Sequence, residues 1–191
     1  TMDAFIADHP DDLAVVYYHM YWPGYDPWWA DNQTDNGARR TYYAINGVPT
    51  CVMNGYKMSS ISRAALDHWF NEAMAEPCYM DMSLSGHWNV GAGTGTVTVE
   101  YTAEQAQGYD DLELFVGLIE NDLYWDGVSA YDWHHFVLRD ILTSEHGDAL
   151  DPYASYPETR YATFNWACDS DWLVAYEEEN LLLYAFIQSN G

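Results

Sequence analysis

Hydrophobic positions along this chain follow two rhythms, and the change between them falls near Pro77. Before it, Ile61, Ala65, Leu66, Trp69, Phe70 and Ala73 recur every three or four residues and predict one amphipathic helix from Ser59 or Ser60 to Ala75. A shorter helix is predicted from about Asp35 to Ile45, capped by Asp35 or Asn36, and residues 1–9 read as a helix end closed by Pro10. Leu13–Tyr21 and Val48–Met53 are strand candidates, the second bracketed by Asn46-Gly47 and Asn54-Gly55 turns.

After Pro77 the period drops to two. Thr96–Tyr101 alternates, and Leu112–Ile119, His135–Leu138, Arg160–Trp166 and Leu181–Ile187 are short β-branched or aromatic runs with turn signals between them. That texture predicts an antiparallel β-sandwich. The expected fold class is α+β, with an α/β domain over 1–77 and an all-β domain over 78–191.

Charge narrows the possible partners. Thirty acidic residues face six basic ones, for a net charge of −24. Such a field repels nucleic acid and anionic membranes, and saline or divalent cations would screen it. No run of 18 apolar residues exists to form a transmembrane segment. The composition suits a secreted, extracellular or outer-membrane-associated setting. Thr1–Ile6 reads as the interior of a helix, so the chain is expected to be a processed or trimmed form.

Candidate chemistry is sparse. The cysteines are Cys51, Cys78 and Cys168, with no CxxC pair. With Cys51 in an apolar strand, Cys78 and Cys168 are the pair available for one disulfide, and three unpaired thiols are the alternative. His134 and His135 beside Asp132 tempt a metal reading, but neighbours on a strand point to opposite faces. The acidic stretch Asp31–Gly37 lacks the glycine register and the closing glutamate of a calcium loop. No metal ligand set and no cofactor are expected, beyond weak divalent cation binding by clusters such as Asp110-Asp111 or Glu177–Glu179. Asn32-Gln33-Thr34 matches a glycosylation acceptor.

Two aromatic clusters stand apart: Trp22, Tyr25, Trp28 and Trp29 in one loop, and Tyr124, Trp125, Tyr131 and Trp133 in another. Aromatic surface of this kind serves a partner copy, the protein's own core, or a sugar face. Self-association ranks first, intramolecular packing second and sugar binding third.

One run points to a family. Tyr18-His19, Trp22-Pro23, Asp26-Pro27-Trp28, Asn32, Asn36, Arg39, Tyr42-Tyr43 and Gly47-Val48-Pro49-Thr50 resemble the twenty-eight-kilodalton outer-membrane protein family. Glu120-Asn121, His135–Arg139, Asn180-Leu181 and Ala185–Gln188 extend the resemblance over most of the chain. It implies a thioredoxin-like domain, here without its first strand and redox motif, followed by an immunoglobulin-like sandwich on a bacterial surface. It also implies a cis peptide bond at Pro49, where the residues alone leave cis and trans open. The expected role is a non-catalytic structural or binding subunit that self-associates into an oligomer or polymer, with glycans or surface proteins as other partners. The competing readings are a thiol–disulfide oxidoreductase whose CxxC lies upstream of Thr1, and a carbohydrate-binding surface protein.

Overall fold

The computed structural model describes residues 2–106, 108–109, 111–127 and 132–189. Mostly antiparallel sheets and a few helices make it a mixed α+β structure. The first helices are α1 (Met2–Asp8), α2 (Pro27–Asp31) and α3 (Gln33–Tyr42). A hairpin of β1 (Val52–Met53) and β2 (Tyr56–Lys57) precedes α4 (Arg63–Ala75). Ser62 caps α4 by accepting from the Ala65 N–H. The Asn54-Gly55 turn that joins β1 to β2 has φ of 48° and 85°, a left-handed pair that asparagine and glycine tolerate best.

The all-β part begins at Met80. β3 (Met80–Asn89), β4 (Thr94–Ala103), β5 (Leu112–Glu120), β6 (Leu123–Tyr124), β7 (Trp133–His134), β8 (Val137–Ile141), β9 (Asp148–Ala149), β10 (Glu158–Ala167) and β11 (Leu181–Ser189) follow in order. One sheet has the order β10-β4-β3 and the other β11-β5-β8, with β9 also paired to β5. β4 alternates strictly: Val97, Val99 and Tyr101 point inward with Trp166 of β10, and Thr96, Thr98 and Glu100 point out. They meet Leu114, Val116, Leu118 and Leu181 of the opposing sheet in one core. The two sheets therefore stack as a sandwich.

β5 is buried along both faces, which explains its unbroken apolar run. Its second face, with Ile119, Leu138, Ile141 and Tyr184, is covered by Val16 and Tyr18 from the N-terminal region. α2, α3 and the segment carrying Val16 and Tyr18 thus pack onto the outside of the β11-β5-β8 sheet, while α1, α4 and the β1–β2 hairpin share a separate core around Phe5, Met58 and Leu66.

Several local expectations change. Leu13–Tyr21 forms no strand; Tyr17 makes a single isolated parallel bridge to Val137. The Val48–Met53 strand shrinks to Val52–Met53, since Pro49 has no N–H to donate. The Val48–Pro49 peptide bond is cis, as are Trp22–Pro23 and Tyr156–Pro157. The true cap of α3 is Asn32, whose side chain accepts from the Asp35 N–H, so that helix starts earlier than predicted. β3 was absent from the predicted strands.

The Cys78–Cys168 disulfide does not form, and all three cysteines are free. β3 and β10 both pair with β4 along its length, with Met80 level with Ala103 and Ala167 level with Thr94. Cys78 precedes one end of that sheet and Cys168 follows the other. A ten-residue strand separates them by roughly 30 Å, far beyond the reach of a disulfide.

Candidate interaction surface

Asp26 organises the first aromatic loop. Its Oδ1 accepts from the Trp29 N–H at 2.8 Å and caps α2, and its Oδ2 lies 2.7 Å from His19 Nδ1. Pro27 at the first helical position suits this start, because its missing N–H would have no helical partner. The cap turns Trp28 inward and leaves Trp29 to pack on Tyr21, with ring centroids 5.4 Å apart.

The structure divides the eight aromatic candidates. Trp28 is 1% exposed and packs with Leu123 and Val137, so it belongs to the core. Trp22 is half-buried between Tyr21 and the Arg40 guanidinium, 5.1 Å from its ring. Trp125 is half-buried against the Trp28 cluster and lies 6.5 Å from Tyr25. Tyr25, Tyr124 and Trp133 remain 59, 53 and 58% exposed. Tyr124 and Trp133 face each other across β6–β7, edge to face at 5.4 Å. Tyr131 lies outside the described residues. Two loops a hundred residues apart are thus joined through Trp28, Trp125 and His134 into one aromatic region.

The histidine pair diverges. His134 lies against Trp28 at 4.3 Å, and His135 Nδ1 sits 3.0 Å from Asp122 Oδ1. No group of three or more His, Cys, Asp or Glu side chains gathers to hold a metal among the described residues. Asp110 of the acidic pair at 110–111 lies outside them.

Polar residues in the family-like run hold the first aromatic loop in place and tie it to the β part. Asn32 Nδ2 donates to the Arg139 carbonyl at 3.1 Å, and Asn36 Oδ1 accepts from the His19 N–H at 2.8 Å. Arg39, 1% exposed, lies 4.3 Å from the Phe115 ring and 4.7 Å from the Tyr43 ring, and donates to Gln188 Oε1 at 3.0 Å. The run named these residues, but periodicity carried no hint that Arg39 would be buried. Its role needs partners about 70 to 150 positions away.

Cys51 and Cys168 are poorly placed for nucleophilic work. Burial raises Cys51, and burial with the Glu120 charge pushes Cys168 up to about 11. Both stay protonated at neutral pH.

No family model matches this chain, and no curated protein matches it. The solved structure of HBP35 of Porphyromonas gingivalis is similar, with a TM-score of 0.64 at 16% identity. The similarity covers 84% of this chain and 52% of that one, so this chain spans about half of that structure's length. At such identity the likeness concerns the fold alone. The resemblance to the twenty-eight-kilodalton outer-membrane family rests on the motifs quoted above.

Proposed function

We propose that this chain is a non-catalytic subunit of a bacterial surface or extracellular assembly, and that copies of it associate. Its helical part is read as a thioredoxin-like domain and its sandwich as immunoglobulin-like. No cofactor is assigned. The observation that carries the reading is the exposed trio Tyr25, Tyr124 and Trp133, each more than half accessible on a protein of net charge −24. Rigid aromatics at a contact bury much surface for little lost side-chain freedom, and this is how interfaces concentrate their energy. Like-charged copies repel, so contact is favoured where salt screens them.

The test is sedimentation velocity across a concentration series, at about 0.1 M and about 2 M NaCl, where the screening length falls from roughly 10 Å to below 3 Å. The expected result is larger species in high salt, diminished by Tyr124→Ala with Trp133→Ala. A strict monomer throughout would overturn the proposal.

A further inference from the structure

The β10-β4-β3 sheet ends in two edges that differ in how they are protected. β10 carries the inward-pointing Arg160, level with the buried Tyr101. Arg160 donates to Glu158 and to the carbonyls of Asp151 and Pro152, which draws the 151–156 loop beside that edge. An inward charge and a covering loop are standard protections against strand pairing. β3 has neither. Its inward residues are Met80, Met82, Leu84, Gly86 and Trp88, and it contains no lysine, arginine or proline. Its register with β4 runs unbroken from Met80 to Asn89, without a bulge to twist it away. No described strand pairs with its outer side.

Beside this edge the sandwich is open. A groove of about 210 Å³ is lined by Leu84, Gly86, Trp88, Val97, Trp166 and Leu183, and inward-facing Leu84 is still 40% exposed. At Gly86 the two backbones approach closely, since a Cβ there would meet the Thr96 carbonyl oxygen at 2.2 Å, so this position carries no side chain of its own over the groove.

We propose that β3 pairs antiparallel with β3 of a second copy, about a two-fold axis through Leu84. A row of unpaired backbone N–H and C=O groups calls for an extended backbone as its partner. Directly opposed residues share a face, so apolar residues meet apolar ones only when the two residue numbers sum to an even value. Among such registers near the strand's centre, the one on Leu84 sets Asp81 opposite His87, Ser83 opposite Ser85 and Met80 opposite Trp88. It also sets Met82 opposite Gly86, so the partner's methionine lies beside the groove that Leu84, Gly86 and Trp88 line. Centring one residue later would place Asp81 against Asn89, and one residue earlier against Ser85. Only the Leu84 register sets a basic side chain opposite Asp81, and this selects it. The contact is isologous, the same patch on both subunits, so it closes a dimer; the aromatic surface provides a second, separate contact for growth.

This inference rests on the reading that copies associate, and the experiment separates the two. The full chain is followed by sedimentation in high salt. His87→Asp places like charges across the pair and weakens association about tenfold, because the pair occurs twice in the dimer. Asp81→Lys combined with His87→Asp restores it to within about threefold. Ser83→Lys with Ser85→Lys puts four like charges at the axis and abolishes the dimer. Association untouched by all these variants, or a double variant that fails to restore His87→Asp, overturns the β3 pairing and leaves self-association standing. A monomer under every condition overturns both.

Discussion

Arg139 Nε lies 3.3 Å from Glu120 Oε2, with both side chains almost wholly shut off from water at 1 and 0% exposure. The pair exists because β8 bulges. Leu138 is level with Ile119 and Asp140 with Leu118, so Arg139 is the extra residue and is aimed away from the ladder. Its guanidinium packs 4.0 Å from the Trp172 ring and donates to the Val174 carbonyl at 2.6 Å, while Glu120 accepts from the Glu177 N–H at 2.7 Å. The pair therefore ties the 169–178 segment to the sandwich. Burial raises the Glu120 carboxyl and lowers the Arg139 guanidinium, so desolvation outweighs their attraction in both.

Breaking this pair on one side should cost more than removing it. Arg139→Met leaves a buried carboxylate without compensation and is expected to lower stability by about 3–5 kcal/mol. Glu120→Gln combined with Arg139→Met should recover part of that loss. Urea denaturation of the single and double variants measures the difference.

Asp140 gives the fold a particular pH dependence. Burial, helped by the Asp35 charge, raises its carboxyl from 3.8 to about 6. A carboxyl raised on folding contributes stability that is complete below its unfolded value and is lost as pH rises through about 6. Thermal stability should therefore rise between pH 7 and pH 5. Asp140→Asn should flatten that slope and stabilise the protein at pH 7 by on the order of 2–3 kcal/mol. A melting temperature that falls between pH 7 and pH 5 would contradict the assignment.

The thiols should differ in reactivity. Cys78 is exposed, whereas Cys51 and Cys168 are partly buried with raised thiols. With an aromatic disulfide reagent, one fast thiol is expected in the folded protein and three after unfolding without reductant. Removing Cys78 should abolish the fast phase.

Two tryptophans from the same kind of loop should behave as opposites. Trp28→Ala opens a cavity among Leu123 and Val137 and is expected to cost about 3–5 kcal/mol. Trp28→Phe should cost less, because the buried indole N–H has no hydrogen-bond partner to lose. Trp133→Ala, on the exposed face, should stay within about 0.5 kcal/mol while weakening association. Chemical denaturation of all three variants tests the division.

Local pattern reached far into this fold. The alternation of Thr96–Tyr101, the apolar run at Leu112–Ile119 and the helical period of Ile61–Ala73 each became the element they predicted, because their side chains repeat with the geometry of a strand or helix. β3 was missed because it is an edge. Met80–Asn89 mixes serine, glycine and histidine with its apolar residues, and the burial that normally enforces alternation is incomplete there. The Cys78–Cys168 pairing failed because a residue count carries no distance, and ten residues of sheet separate the two.

The sequence by itself determined the helical period before Pro77, the strand periods after it and the strongly acidic composition. These depend on neighbours within a few positions or on composition alone. Only the tertiary structure decided which aromatics are core and which are surface, that Arg39 lies buried among rings, and that a bulge delivers Arg139 to Glu120. Those outcomes depend on contacts between residues far apart in the chain, where burial and charge are settled by what packs alongside.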